Sequence, residues 1–383
     1  MRALPFAMAA AAACAALTPA PAAPGQASLP EATVAEWRKL PVPSNAPAPE
    51  LRDACAAGKE MFVVGTPGIF CRFRGGRLER IPAPTRHRLN VVWARKPNEV
   101  YAAGEEGTVL RFDGKKLTAV GEAPRTFQSR GPFGRPETRP VDFEYVWASG
   151  PNDVYASCPG LLLHFDGQTW RPVEIGAGPV LVWTMTVTGQ AVVYPMVGPI
   201  WGTSSKDVWV GHQVVDRSRL LGSRPRNRFS EPLPSPPQFH AAHFDGSTWQ
   251  DDPSLLQPES WGNHSRGEIR PELLQTAGGT AYTRFGGSIY RWEGGRWAPI
   301  TTLPSREPPY WPGWAAAENG HLLLQVYGDL RVWNGKRWIA VEKPPEMGSM
   351  PRAIAFTEDR VVGLIEGRGE NSLVVGRIRL PAR

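Results

Sequence analysis

A repeat unit of three short segments recurs along the chain. Such a repeat limits the fold to stacked copies of one structural unit. The segments are a Trp-centred strand, an acid-Val-aromatic strand and a run that ends in Phe-Asp-Gly. The clearest copies occupy residues 92–114, 146–170 and 200–249. A unit that repeats in this way cannot bury its apolar face alone and stacks against its neighbours. The repeat therefore predicts an array of small sheets.

The Asp-Gly step of each copy predicts a β-hairpin. Asp-Gly between two β-prone runs favours a two-residue turn, which pairs Phe165 with Gln168 and Leu163 with Trp170. Because side chains alternate along a strand, Leu163, Phe165 and Trp170 then share one face. Other units repeat this arrangement, so each sheet has an apolar face to bury against its neighbour.

The spacing of the segments predicts four antiparallel strands per unit, as in a blade of a β-propeller. We identify seven units, with a six-bladed ring as the alternative. The seventh unit ends after three strands, and we expect the N-terminal segment at about 34–42, which contains Trp37, to complete it and close the ring. The fold class is all-β, with residues 50–383 as a single propeller domain. The units lie at about 51–81, 90–120, 145–175, 199–252, 273–301, 313–342 and 352–380.

Two repeat motifs carry a family resemblance. Residues 201–209 read Trp-Gly-x4-Asp-Val-Trp and residues 243–249 read His-x-Asp-Gly-x-x-Trp, which resembles the repeats of secreted bacterial β-propellers. The resemblance covers about 51–342 and implies a propeller fold with a binding function. The segments at Asp166 and Asp245 are similar to the Asp-box of sialidases but lack its residue between Asp and Gly. Kelch propellers are similar only in the trailing Trp. No catalytic residue is carried over from these resemblances.

The N-terminal region predicts export. Residues 1–22 combine Arg2, an apolar run and a small-x-small site at 20–22, which is typical of a secretory signal peptide. A lipoprotein signal acylated at Cys14 is the alternative, and it would anchor the protein to the cell envelope. Residues 23–49 form an Ala/Pro-rich tether that contains the closing strand. We therefore expect a secreted or periplasmic protein, which associates with a membrane only if it is lipid-anchored at Cys14.

Composition argues against several functions. The 40 Pro, 40 Gly and 15 Trp suit a turn-rich β protein with an aromatic core. The net charge of +7 includes no basic block typical of a nucleic-acid surface. Cys55, Cys71 and Cys158 are interpreted as small buried residues, and one disulfide among them stays open. No cysteine or histidine cluster has metal-ligand spacing, so neither a metal nor a cofactor is expected. We expect a monomer.

Long connections are predicted on one face of the ring. Strand direction alternates, so the turns after the first and third strands of each blade share one face and the other connections share the opposite face. That opposite face receives all five insertions, and long loops on a rigid scaffold commonly carry function. We interpret 180–197, apolar but broken at 188–190, as an extra hairpin. The insertions lie at about 121–140, 176–198, 214–238, 252–272 and 303–312.

The candidate binding residues lie in these insertions. Arginines suit phosphate, sulfate or carboxylate groups, and aromatic side chains suit sugar rings or a peptide. A solvated loop and aromatic plugs of the ring are the alternatives. The candidates are Arg217, Arg219, Arg224, Arg226, Arg228, Trp261, His264, Tyr310 and Trp311.

Other polar residues recur at equivalent positions of the repeat and are interpreted as structural. His164 and His243 stand where other units carry arginine, which indicates a blade contact rather than a metal ligand. Glu99, Asp153 and Asp207 are interpreted as turn-forming residues.

The favoured function is a non-catalytic propeller that binds a protein, a peptide or a glycan through its loop-rich face. The alternative is a propeller glycoside hydrolase or polysaccharide lyase that acts on extracellular glycans, which requires converging carboxylates. Carboxylates on that face show no diagnostic spacing, so no catalytic residue is predicted. They are Glu259, Glu268, Glu272 and Glu307.

Replacing the five arginines of the third insertion by glutamine tests the anion interpretation. We expect the variant to bind a sulfated polysaccharide at least about tenfold more weakly, because each guanidinium contributes charge-assisted hydrogen bonds. Isothermal titration at physiological salt measures the affinity. Equal affinities of the two proteins would rule out an anion clamp in this insertion.

Overall fold

The fold was analysed in a computed structural model. It describes residues 31–43, 49–130, 136–175, 182–186, 189–193, 197–214, 238–252, 272–285, 288–302, 314–326, 329–342, 344, 353–365 and 372–380. Regular structure in these residues consists of strands. Within the same residues, no helix has the length and apolar character needed to cross a membrane.

The described residues contain thirty-two strands. They are β1 (Glu31–Pro41), β2 (Glu50–Ala57), β3 (Glu60–Thr66), β4 (Ile69–Arg74), β5 (Arg77–Arg80), β6 (Leu89–Lys96), β7 (Glu99–Gly104), β8 (Val109–Phe112), β9 (Leu117–Ala119), β10 (Thr126–Arg130), β11 (Pro136–Pro140), β12 (Tyr145–Gly150), β13 (Asp153–Cys158), β14 (Leu161–Phe165), β15 (Trp170–Pro172), β16 (Val182–Thr186), β17 (Gly189–Val193), β18 (Val197–Ser204), β19 (Asp207–Val214), β20 (Gln238–Phe244), β21 (Trp249–Asp252), β22 (Glu272–Gln275), β23 (Ala281–Phe285), β24 (Ser288–Glu293), β25 (Arg296–Thr302), β26 (Trp314–Ala316), β27 (Leu322–Val326), β28 (Asp329–Trp333), β29 (Trp338–Val341), β30 (Ala353–Phe356), β31 (Val361–Ile365) and β32 (Ser372–Arg379).

All of these strands except β10, β11, β16 and β17 form seven four-stranded antiparallel blades. Blades 1 to 6 are β2–β5, β6–β9, β12–β15, β18–β21, β22–β25 and β26–β29, and blade 7 is β30–β32 with β1. The first strands of successive blades contact one another from β2 through β6, β12, β18, β22, β26 and β30, and β30 returns to β2. The arrangement is a closed seven-bladed β-propeller. The prediction of an all-β propeller is confirmed, and the six-bladed alternative is wrong.

The ring is closed by β1, the first strand of the described residues, as the sequence predicts. Strand β1 pairs antiparallel with the last strand, β32, through a register that runs from Thr33 opposite Arg379 to Pro41 opposite Ser372. Trp37 packs against the apolar cluster between blades 6 and 7. Strand β1 also pairs in parallel with β29 at its first two residues, so blades 6 and 7 share one continuous sheet.

Large apolar side chains fill the spaces between neighbouring blades. Phe62, Phe70 and Phe112 meet between blades 1 and 2 with ring centroids 5.6–5.9 Å apart. All three are fully buried, and each contributes about 1.5–3 kcal/mol by leaving water. Between blades 2 and 3, Phe165 belongs to the apolar cluster that the two blades share. Partly buried Trp170 packs against that cluster and against the Phe165 ring. The shared apolar face predicted from the repeat is therefore the face that binds adjacent blades together.

The turn at the end of each hairpin differs from the predicted one by a single position. Phe165 pairs with Trp170 and Leu163 with Pro172, so the central turn residues are Gly167 and Gln168 rather than Asp166 and Gly167. Only the glycine takes a positive φ, of 91°, as a type II′ turn requires. The resulting register shift is two residues, and an even shift leaves side chains on the same face. The predicted pairing is wrong, whereas the predicted face is right.

The aspartate of the Asp-Gly step stabilises the turn from outside it. One carboxylate oxygen of Asp245 accepts hydrogen bonds from the backbone N–H groups of Ser247 and Thr248, at 2.8 and 2.9 Å. These bonds, led by the one from Thr248 and joined by the Ser247 hydroxyl, lower the pKa of Asp245 to about 2. Asp113 and Asp166 accept equivalent bonds in their own turns. The recurrent aspartate is thus a turn-forming residue.

Removing residues 34–40 tests how far the closure supports the ring. We expect the free energy of unfolding to fall by at least about 3 kcal/mol, the scale of deleting one buried aromatic side chain, since Trp37 and the pairing with β32 are both lost. Denaturant unfolding of the deletion variant and the parent measures the difference.

A synthetic peptide of residues 31–43 provides the control. Added to the deletion variant, it should restore stability by occupying the vacant edge, while a scrambled peptide should not. Equal stability of parent and variant, or rescue by both peptides, would show that the closing strand contributes little.

Candidate functional site

The two faces of the ring differ in the connections that they carry. Turns after the first and third strands of a blade lie on one face, here called the turn face, and are short, as at 97–98 and 113–116. The opposite face, here called the loop face, carries the remaining connections. Two of these hold extra hairpins, β10–β11 between blades 2 and 3 and β16–β17 between blades 3 and 4. The extra hairpin expected within 180–197 is confirmed, with Thr186 opposite Gly189 at its tip.

The hairpin β10–β11 forms an arm on the loop face. Its strands pair from Thr126 opposite Pro140 to Arg130 opposite Pro136. The backbone N–H of Val141 donates to the carbonyl of Arg125 at 2.8 Å, which closes the base of the arm. Partly buried Phe127 packs on the core between blades 2 and 3, and the guanidinium of Arg139 lies 6.0 Å from its ring centroid. The arm is therefore anchored to the ring by side chains.

A cluster of two histidines and one aspartate lies at the loop-face edge of blade 4. One carboxylate oxygen of Asp251 lies 2.7 Å from Nε2 of His212, and the other lies 2.8 Å from Nδ1 of His240. The two imidazole rings are edge to face, with centroids 5.7 Å apart. The side chains of His212 and His240 are only 9% and 11% exposed, and that of Asp251 is 31% exposed. We call these three residues the His-Asp-His cluster.

Strand pairing in blade 4 produces this cluster. His212 on β19 lies directly opposite His240 on β20, two pairs before the ladder ends at Val214 and Gln238. Asp251 lies near the end of the neighbouring strand β21, opposite Ala242. The stretches 215–237 and 253–271 leave the blade at these strand ends. The cluster therefore lies at the base of the third and fourth insertions.

Burial decides the charge of His212. Removal from water lowers the pKa of His212 below its usual value of 6.5, and the nearby His240 acts in the same direction. The hydrogen bond to Asp251 and the charge of that carboxylate act in the opposite direction but are weaker than burial. The neutral imidazole is therefore the favoured form of His212 at neutral pH.

Sequence spacing alone conceals the cluster. His212 and Asp251 are 39 residues apart, and His240 and Asp251 are 11 residues apart, so they match no short ligand motif. The signal that was available is positional, since both histidines flank one insertion and the aspartate precedes the next. Recognising that signal requires the register of the strands in blade 4. The Asp-Gly turn predicted from the sequence is one position off, so the register that follows from it is wrong by two residues.

The histidines that recur at one position of the repeat, His164 and His243, make contacts within their own blades. Nε2 of His164 lies 2.6 Å from Asp153, and Nε2 of His243 lies 2.9 Å from Asp207. His164 stacks on Tyr155 with centroids 4.2 Å apart, and His243 stacks on Trp209 at 3.9 Å. In blade 1 the arginine at the same position, Arg72, bonds Glu60 at 2.6 and 2.7 Å. In these three blades, the same position of the repeat therefore carries a basic side chain that contacts an acidic side chain on the neighbouring strand.

Glu99 differs from the exposed turn residue that its sequence position suggests. Its side chain is 3% exposed and bonds Arg95 at 3.0 Å. The hydroxyl of Tyr101 donates to it at 3.1 Å, and burial together with this carboxylate raises the pKa of Tyr101. Asp153 and Asp207 also contact basic side chains on the neighbouring strand, His164 and His243. These acids therefore connect paired strands in addition to forming turns.

The sequence-predicted binding residues all fall outside the described residues. The arginines at 217–228 lie within 215–237, Trp261 and His264 within 253–271, and Tyr310 and Trp311 within 303–313. The structure brings none of them into a described site. Cys55, Cys71 and Cys158 are free thiols, and burial is the main cause that raises the pKa of each. The open question of a disulfide among these three is thereby resolved.

Comparison with known proteins supports the fold. No protein family and no curated protein matches the sequence. A streptogramin B lyase structure superposes with a TM-score of 0.53 at 10% identity, covering 90% of this chain and 98% of the lyase. The β-propeller domain of Cps50 (Swd1) from Myceliophteria thermophila gives 0.51 at 9% identity, covering 89% and 100%. YCF48 bound to a D1 peptide gives 0.48 at 14% identity, covering 93% and 100%.

The buried state of His212 predicts a pH dependence of stability. Because its folded pKa is below 6.5, the unfolded chain binds more protons as pH falls through about 6.5, and stability is lost. We expect His212→Gln, which retains a donor towards Asp251, to lose less stability than the parent between pH 7.5 and 5.5. Urea unfolding at the two values measures this, with a chelator present so that no metal ion competes for the imidazoles. Identical losses would contradict the assignment.

Proposed function

We propose that the protein is an exported, non-catalytic recognition propeller that binds a protein or peptide partner through its loop face. The observation that carries the proposal is the difference between the two faces of the ring. The turn face carries short, hydrogen-bonded turns, whereas the loop face carries the hairpins β10–β11 and β16–β17 and the strand ends of blade 4. Elaboration of one face of a rigid scaffold is typical of a binding surface.

The arm β10–β11 suits an extended peptide. Its two strands form a separate two-stranded sheet to which no third described strand is added. Edge N–H and C=O groups of such a sheet bind an added strand by main-chain hydrogen bonds.

The arm is also fixed before any partner arrives. Phe127 packs on the blade core and the base is closed by the bond between Val141 and Arg125. A binding element that is already ordered loses less conformational entropy on association. This favours recognition by the arm over binding that first has to order a loop.

Export remains part of the proposal on sequence grounds. Residues 1–22 have the pattern of a signal peptide, with Cys14 acylation as the alternative. Both routes place the mature chain outside the cytoplasm, either free or attached to the envelope. A glycan ligand and a glycan-degrading activity are the competing functions, and the experiment below distinguishes them.

Shortening the arm tests the proposal. Residues 126–140 are replaced by Gly-Gly, which can join Arg125 to Val141 because their backbones are already hydrogen bonded. We expect the mature protein, residues 23–383, to bind members of an array of extended peptides, and the shortened variant to bind them at least about tenfold more weakly, a loss of about 1.4 kcal/mol. Biolayer interferometry measures the affinities, and a polysaccharide panel with product analysis runs in parallel.

A turn-face variant is the matched control. Lys115→Ala with Lys116→Ala removes two exposed charges from a turn of blade 2 and leaves the arm in place. It should bind as the parent does. Peptide binding that survives loss of the arm, or turnover of any polysaccharide by the parent, would overturn the proposal.

A further inference from the structure

We propose that the His-Asp-His cluster of blade 4 is a binding site for a divalent transition-metal ion of the zinc class. The ligand atoms would be Nε2 of His212, Nδ1 of His240 and a carboxylate oxygen of Asp251. This inference goes beyond recognition of a partner and rests on separate residues from the arm.

The donor set selects the class of ion. Two imidazole nitrogens and one carboxylate oxygen suit zinc, nickel, copper or iron(II), whereas calcium and magnesium prefer sites made of oxygen ligands. Zinc accepts three protein ligands with a fourth position left for water or another group. The His-Asp-His cluster supplies three ligands from three neighbouring strands.

The distances place the ligand atoms close enough to share one ion. All three lie within 4.8 Å of one another. Bonds of about 2.0–2.2 Å in a tetrahedral zinc site put ligand atoms about 3.3 Å apart. The hydrogen bonds that the Asp251 carboxylate accepts from the two imidazoles, at 2.7 and 2.8 Å, are shorter than this. The carboxylate therefore has to withdraw by about 0.5 Å to admit the ion. Asp251 is the most exposed of the three, so it is also the one with room to move.

The protein holds the imidazoles in place before an ion arrives. His212 and His240 face each other across a regular antiparallel ladder that continues on both sides of them. Sites built on strands keep their ligands more precisely than sites built on loops.

The same blade contains an internal comparison. His243 and Asp207 also form an imidazole–carboxylate pair, at 2.9 Å, and His243 stacks on Trp209. Among the described residues, no second histidine contacts the carboxylate of that pair, which lies at the turn-face end of the strands. The second imidazole on Asp251 therefore distinguishes the proposed site from the pairs that recur as blade contacts.

A bound ion would cross-link three strand ends. Strands β19, β20 and β21 end where the stretches 215–237 and 253–271 leave blade 4. Metal–ligand bonds between these strands would resist separation of the blade edge at that point. The fourth coordination position would remain available for water or for a group of a bound partner.

Metal binding by the untagged mature chain, residues 23–383, tests the inference. The protein is treated with chelator, and Zn²⁺, Co²⁺ and Mg²⁺ are then titrated separately in competition with a chromophoric chelator. We expect one Zn²⁺ per chain, a Co²⁺ complex with visible absorption typical of low coordination number, and no binding of Mg²⁺. His240→Gln and Asp251→Asn should each weaken Zn²⁺ binding by more than about 100-fold, since even partners outside the ligand sphere contribute 10–100-fold.

His243→Gln is the matched control, because it removes one imidazole from an aspartate in the same blade. It should retain one Zn²⁺ per chain with unchanged affinity. Circular dichroism of each variant, taken without metal, establishes that the fold is intact, and His240→Asp supplies a ligand-retaining substitution if His240→Gln does not fold. Absence of stoichiometric Zn²⁺ in the parent, or equal binding by His240→Gln and His243→Gln, would overturn the inference.

Discussion

The burial of apolar blade faces against one another is the interaction on which the rest of the structure depends. A single four-stranded sheet of this sequence has a face of phenylalanine, tryptophan and leucine side chains that water would otherwise cover, and only a neighbouring blade can bury it. Each blade therefore depends on two others, and the dependence ends only when the ring is complete. The pairing of β1 with β32 supplies that completion. The rigid support of the loop face is a result of the same closure.

Much of the fold could be predicted from the repeat, because its period and its alternation of apolar residues are properties of single strands. The number of blades and the closing role of the segment with Trp37 followed from counting strands. The hairpin register did not, because Asp-Gly is compatible with two turn placements and the choice depends on which residue takes a positive φ. Gly167 takes it alone, and Asp166 instead accepts hydrogen bonds from the turn.

The candidate site was less accessible to sequence reasoning. Arginine and aromatic residues in the insertions attracted attention because their chemistry is visible one residue at a time, and they lie outside the described residues. His212, His240 and Asp251 become a cluster only through the register of β19, β20 and β21. A turn placed one position off shifts the register by two residues, so the same side chains still face the core. It changes every cross-strand partner by two positions. Functional clusters depend on those partners.

The closing strand also sets an order of events. Strand β1 is made long before the strand with which it pairs, since 330 or more residues separate partners such as Leu40 and Leu373. Contacts of such high sequence separation form late and slowly. Until they form, β32 and β29 keep unpaired edges of the kind that promote association between chains. A ring built in this way can close only after β32 has been made, so the pairing of β1 with β32 determines when the propeller is complete.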